Sequence, residues 1–203
     1  MMRKMLLGAL ISVPIFYYFA LIAGAATYPG YSHVTRYASE LGAADAPHPA
    51  LFNIPIIIGG IAALLGAFGL ALALRDLSGR STWAMAAGIA LALWGMSMVM
   101  GGMFPMPNNL HGGFGLGLLG PLVPVFALLA LRNVPDTRGM KMFLAFIFVG
   151  SIIVLAIMFG AGHLLTRRNV GIWQRINTGV SIPWLAVLGF WLLARTKQPS
   201  KEV

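Results

Sequence analysis

The residues in this chain with the chemistry to move protons, bind a metal or hold an anion gather in a few short polar stretches. The first contains Tyr28-Pro29-Gly30-Tyr31-Ser32-His33-Val34-Thr35-Arg36-Tyr37 and runs on through Ala38-Ser39-Glu40-Leu41-Gly42. Ser32 as a cap and Gly42 as a terminator predict a short helix. On it His33, Arg36, Tyr37 and Glu40 share one face. Asp45, His48 and Asn53 follow closely. A second stretch, Asn108-Asn109-Leu110-His111, lies just before a glycine-rich run, and a third is Gly162-His163 followed by Thr166-Arg167-Arg168-Asn169. The fourth is Gly171-Ile172-Trp173-Gln174-Arg175-Ile176-Asn177-Thr178. Helical spacing there puts Gln174, Asn177, Thr178 and Ser181 on one face with Arg175 at its edge.

Two kinds of chemistry suit these residue types. Arginines that converge on one side suit an anion, above all a phosphate, because guanidinium donors match its oxygens. Histidines with Glu40 as ligand or base suit a Zn²⁺ hydrolase. Against the second, the chain has no His-Glu-x-x-His motif, and no two histidines stand at helical ligand spacing. With no cysteine in the chain, thiolate nucleophiles, disulfides, Cys-ligated zinc and iron–sulfur clusters are excluded. Met96, Met100 and Met103 share a face that would suit Cu(I), but methionine is the usual filler of apolar packing. His111 and His163 offer a bis-histidine haem as a further alternative.

The elements that must position these groups are apolar. Hydrophobic residues make up 59% of the chain and charged ones only 9%, and the mean hydropathy is +0.84. A spanning helix needs roughly 20 mostly apolar residues. Six stretches qualify: Met5–Thr27, Leu51–Leu74, Thr82–Met103, His111–Leu131, Met140–Leu164 and Ile172–Ala194. They predict an all-α, six-helix integral membrane bundle forming one transmembrane domain over residues 1–203. A β-barrel would alternate apolar and polar residues, and these stretches do not. The first apolar run exceeds the roughly 7–15 residues of a signal-peptide core, so it is expected to remain as a span.

The threading follows from the basic residues. With both termini in the cytoplasm, 10 of the 14 Lys and Arg side chains fall inside, which satisfies the positive-inside rule for a bacterial-type inner membrane. The net charge of +9 is thereby explained without nucleic acid. All four histidines then lie on the outer side with Arg36, Arg167, Arg168 and Arg175. Spans two, four and six begin there, so three helix N-termini add partial positive charge. Gly113, Gly117 and Gly120 give span four a small-residue face, suited either to closing the bundle or to joining two copies of the chain.

The outer pieces resemble the uncharacterised prokaryotic six-span family known as domain of unknown function 998. The resemblance rests on Tyr28-Pro29 with Ser39-Glu40-Leu41-Gly42, then Phe104-Pro105, His111, Gly171-Ile172-Trp173-Gln174-Arg175-Ile176 and Trp184. It covers nearly the whole chain and implies a fold without an activity. Members often carry an acid after Phe-Pro, where this chain has Met106-Pro107-Asn108, and often Glu before the Arg, where this chain has Gln174.

The leading functional expectation is an outward-facing pocket for an anionic lipid or isoprenoid, lined by His33, Arg36, Glu40, Asn53, His111, His163, Gln174 and Arg175. Arginine would hold the head and the spans the tail. Arg175→Ala is expected to weaken lipid binding with little change in fold. The alternatives are the metal-dependent hydrolase, a channel or transporter, and a structural membrane protein whose polar face docks a partner. Sparse intramembrane charge speaks against a proton relay. No cofactor is specified by the sequence.

Overall fold

The computed structural model describes residues 1–195, and those residues form helices and turns with no strand. The helices are α1 (Met2–Ala26), α2 (Pro49–Ser78), α3 (Ser81–Met103), α4 (Leu122–Leu131), α5 (Arg138–Met158), α6 (Val170–Ser181) and α7 (Trp184–Arg195). A 3₁₀ segment, Gly113–Leu119, precedes α4, and α6 and α7 together make the last span. Six segments are therefore long and apolar enough to cross a membrane. Phe68, Phe146 and Phe190 are 60% or more exposed on their outward faces. Bare phenylalanine at that level belongs against lipid rather than water.

Small residues hold α1, α2 and α3 together. A methyl added at Gly66 would lie 2.8 Å from the Leu10 Cα. One at Gly60 would lie 2.8 Å from the Val99 nitrogen, and one at Gly95 would lie 2.9 Å from the Ala63 Cβ. Backbones approach this closely only where side chains are absent, the usual basis of helix association in lipid. α4 then packs on α3, α5 on α4, α6 on α5, and α7 returns to α1. At the end that carries Met1 and Arg195, Arg3 pairs with Asp76 at 2.5 Å and Arg195 donates to the Asp136 carbonyl at 2.5 Å. We call this the terminal end and the opposite one the distal end.

Three elements differ from the sequence expectation. Span four is not one helix from His111: Phe114 and Gly115 take positive φ of 53° and 76°, and the regular helix begins only at Leu122. Five glycines in nine residues from Gly112 to Gly120 make a continuous helix there costly. Gly113 and Gly117 face Ser97, and Gly120 faces Trp94, so the glycine surface closes on α3 within the chain. The fifth helix ends at Met158, and Gly160 turns left-handed at φ 95°. The last span breaks at Ile182-Pro183, because proline donates no hydrogen bond to Gly179. There the Trp184 indole N–H caps the Ser181 carbonyl at 3.0 Å.

These breaks open the distal half of the bundle. In the terminal half α7 packs against α1, but α6, on the distal side of the proline break, packs on α5. A recess is left between α6 and helices α1, α2 and α3.

Candidate functional site

The recess has a volume of about 330 Å³. Its apolar wall comes from Phe52 and Ile56 on α2, Trp94 and Met98 on α3, Leu118, and Leu155 on α5. Its polar wall is one stripe of α6, Gln174, Asn177, Thr178 and Ser181, met by Ser97 of α3, His111 and Tyr17 of α1. Ala38 and Ser39 of the first distal loop form its roof. The α6 stripe thus faces the bundle interior, where the cost of exposing polar groups to hydrocarbon is avoided.

The hydrogen bonds show what this lining offers. Ser97 donates its hydroxyl proton to the Trp94 carbonyl at 2.7 Å, and Thr178 donates to the Arg175 carbonyl at 3.2 Å. The Ser97 oxygen keeps lone pairs free, whereas Thr178 also hydrogen-bonds the Tyr17 side chain. His111 Nδ1 lies 2.9 Å from the Phe104 carbonyl, so in the neutral ring that nitrogen carries the proton and Nε2 is an acceptor. The side chains of Asn177 and Ser181 make no hydrogen bond among the described residues. Both reach the recess, where a ligand or water must satisfy them.

The first distal loop is strapped over this recess. Ser32 Oγ caps a single turn, accepting the Val34 and Thr35 amides at 3.3 Å. The expected continuous helix from Ser32 to Gly42 does not form, because side chains take its amides. Glu40 accepts the Tyr37 N–H at 2.7 Å, and Gln174 Oε1 accepts the Ala38 N–H at 2.5 Å. A 3₁₀ turn, Ala38–Gly42, results. Asn53 Nδ2 donates to the Gly42 carbonyl at 2.8 Å, and a methyl at Gly42 would overlap the Asn53 amide. Those two contacts explain the glycine in Ser39-Glu40-Leu41-Gly42.

Arg175 is the buckle of the strap. Its guanidinium donates to the Arg36 carbonyl at 2.7 Å, the Gly171 carbonyl at 3.2 Å and Gln174 Oε1 at 3.2 Å. It also meets the Tyr31 hydroxyl and lies 3.4 Å from His33 Nδ1. Its Nε is buried without a partner. Gly171 completes the junction: a methyl there would lie 2.5 Å from the His33 carbonyl and 2.6 Å from that of Arg36. Burial, reinforced by Arg175, lowers the His33 pKa below its ordinary value, and burial raises that of Tyr31.

The eight residues singled out from sequence therefore fall into three places. His111 and Gln174 line the recess. His33, Arg36, Glu40, Asn53 and Arg175 belong to the strap or the turn it holds, with Arg36 and Glu40 3.8 Å apart beside shallow surface grooves. His163 is exposed at φ 54° on the α5–α6 connection and lines no part of the recess. Sequence reasoning did not single out Tyr17, Trp94 or Ser97. Their signal was available, as isolated polar or amphipathic groups inside otherwise apolar spans. Among the described residues no three His, Asp or Glu side chains stand close enough to share a metal ion.

Six apolar helices around a distal recess define a multi-pass membrane protein. Residues 10–191 match the family model described as Protein of unknown function (DUF998), and the chain belongs to that family. No curated protein and no solved structure matches it.

Proposed function

We propose that this protein binds a membrane amphiphile, a lipid or isoprenoid, with the head in the distal recess and the tail along the apolar wall. The carrying observation is the pairing of Asn177 and Ser181, polar groups without a partner among the described residues, with an apolar wall of Phe52, Ile56, Met98 and Leu155 across one cavity. A polar stripe on a spanning helix is costly unless something meets it. An amphiphile meets both walls, and the bilayer supplies amphiphiles. In the orientation expected from the positive-inside count, the distal end would lie at the outer leaflet of the cell membrane.

The reading moves the head contact away from the loop arginines and onto α6. Among the described residues the hydrolase alternative has no ligand set to support it. Native mass spectrometry of gently extracted protein tests the proposal. Wild type is expected to carry a lipid adduct of defined mass, and Asn177→Leu to lose most of it while keeping its melting temperature. Equal adducts on both proteins, or none on either, would remove the assignment.

A further inference from the structure

We infer that the recess selects an uncharged, hydroxyl-bearing head, that of a long-chain alcohol, over a phosphate-bearing one. This rests on the amphiphile reading above and specifies its ligand. To the polar wall described above the roof adds only Ser39, and among the described residues no lysine or arginine lines the recess. A phosphate taken out of water carries charge that neutral donors such as the Asn177 amide and the Ser181 hydroxyl offset less well than a cation would. The nearest candidate, Arg175, has both terminal nitrogens committed to the Arg36 and Gly171 carbonyls, the Gln174 amide, Tyr31 and His33. Its remaining N–H is buried, out of contact with any solvent-filled space.

Two of the lining groups face inward with acceptors alone. Ser97 has turned its proton back to its own helix, and His111 has turned Nδ1–H to the Phe104 carbonyl. What each leaves toward the cavity is a lone pair. A phosphate monoester carries only acceptors at its charged oxygens, so these two positions would repel it. A hydroxyl both donates and accepts. It can give its proton to His111 Nε2 or a serine-type oxygen and receive one from the Asn177 amide.

Trp94 lines the same cavity, so its fluorescence reports occupancy directly. The test uses the full chain in nanodiscs of phosphatidylcholine, titrated with geranylgeraniol and with geranylgeranyl monophosphate. The prenol is expected to change tryptophan emission saturably, and Trp94→Phe to abolish the change. The phosphate ester should bind at least about tenfold more weakly, the scale of one lost charge-compatible contact. His111→Phe should narrow that gap by weakening the prenol alone. Should His111→Phe fail to fold, Ser97→Ala removes a second acceptor and should act the same way. Equal or tighter binding of the phosphate ester would overturn the inference while leaving the amphiphile reading intact. No saturable response to either, with no adduct in native mass spectrometry, would bring down both.

Discussion

Arg175 sits where a membrane protein can least tolerate an idle guanidinium, at the head of a spanning helix under a loop. Its role follows from its partners, two backbone carbonyls, an amide oxygen and a phenol from two different segments. Arg175→Met keeps most of the volume and strands those acceptors. It should destabilise the protein by about 2–3 kcal/mol, read as a lower thermal or denaturant midpoint in detergent. Arg175→Lys should recover only part of that, because one ammonium cannot reach both carbonyls in a fork. The sequence reading expected an arginine substitution to spare the fold. It could not see that the donors are taken by backbone, since nothing in a residue's type records where carbonyls from another segment will arrive. His33 beside it adds a pH dependence. Its proton affinity is lowered in the docked loop by burial and then by Arg175, so the released loop binds the proton more readily. The docking contribution is therefore whole above about pH 6.5, the ordinary histidine value, and weakens as the pH falls below it. Protection factors across the first distal loop, taken relative to the intrinsic exchange rate at each pH, should fall between about pH 7.5 and about pH 5.5, and His33→Gln should flatten that change. An unchanged pH profile in the variant would remove His33 from the strap.

At the scale of elements, α6 is defined by what touches each of its faces. Its first turn is closed by backbone: Ile172 N–H donates to the Val34 carbonyl at 3.2 Å, directly beside Gly171. Gly171→Ala should cost about 1–3 kcal/mol, because backbone on both sides leaves little room to yield. Gly179→Ala on the same helix meets nothing within 4 Å and should be neutral or gain up to about 1 kcal/mol. Comparing the melting temperatures of the two variants separates local crowding from a general intolerance of α6. The polar stripe of this helix was legible in the sequence, because spacing alone fixes which residues share a face. Its depth beneath the loop was not, because Pro183 breaks the span and separates α6 from α7. The glycine run of span four was likewise legible as small, but whether it would coil into 3₁₀ turns depended on the nearness of Ser97 and Trp94.

Across the whole molecule, the number and identity of the spans were readable because hydropathy over a bilayer's thickness is a one-dimensional property. The recess is a three-dimensional consequence of two helix breaks and a strapped loop, so only its polar lining was visible beforehand. Orientation is open to a direct check, since the chain has no native cysteine to confuse labelling. Thr35→Cys at the distal end should react with an impermeant maleimide on intact cells, and Ser81→Cys at the terminal end should react only after lysis. The central claim is that the recess, rather than any other surface, holds the amphiphile. A competing surface exists: an apolar groove of about 250 Å³ between α2 and α3, lined by Phe68, Met85, Gly88 and Ile89. The most direct test is therefore photocrosslinking with a prenol carrying a diazirine beside its hydroxyl, followed by mapping of the adducts. Adducts on Ser97, His111 and Asn177 that disappear with excess unlabelled prenol are the predicted result, whereas adducts confined to Phe68, Met85 and Ile89 would contradict it.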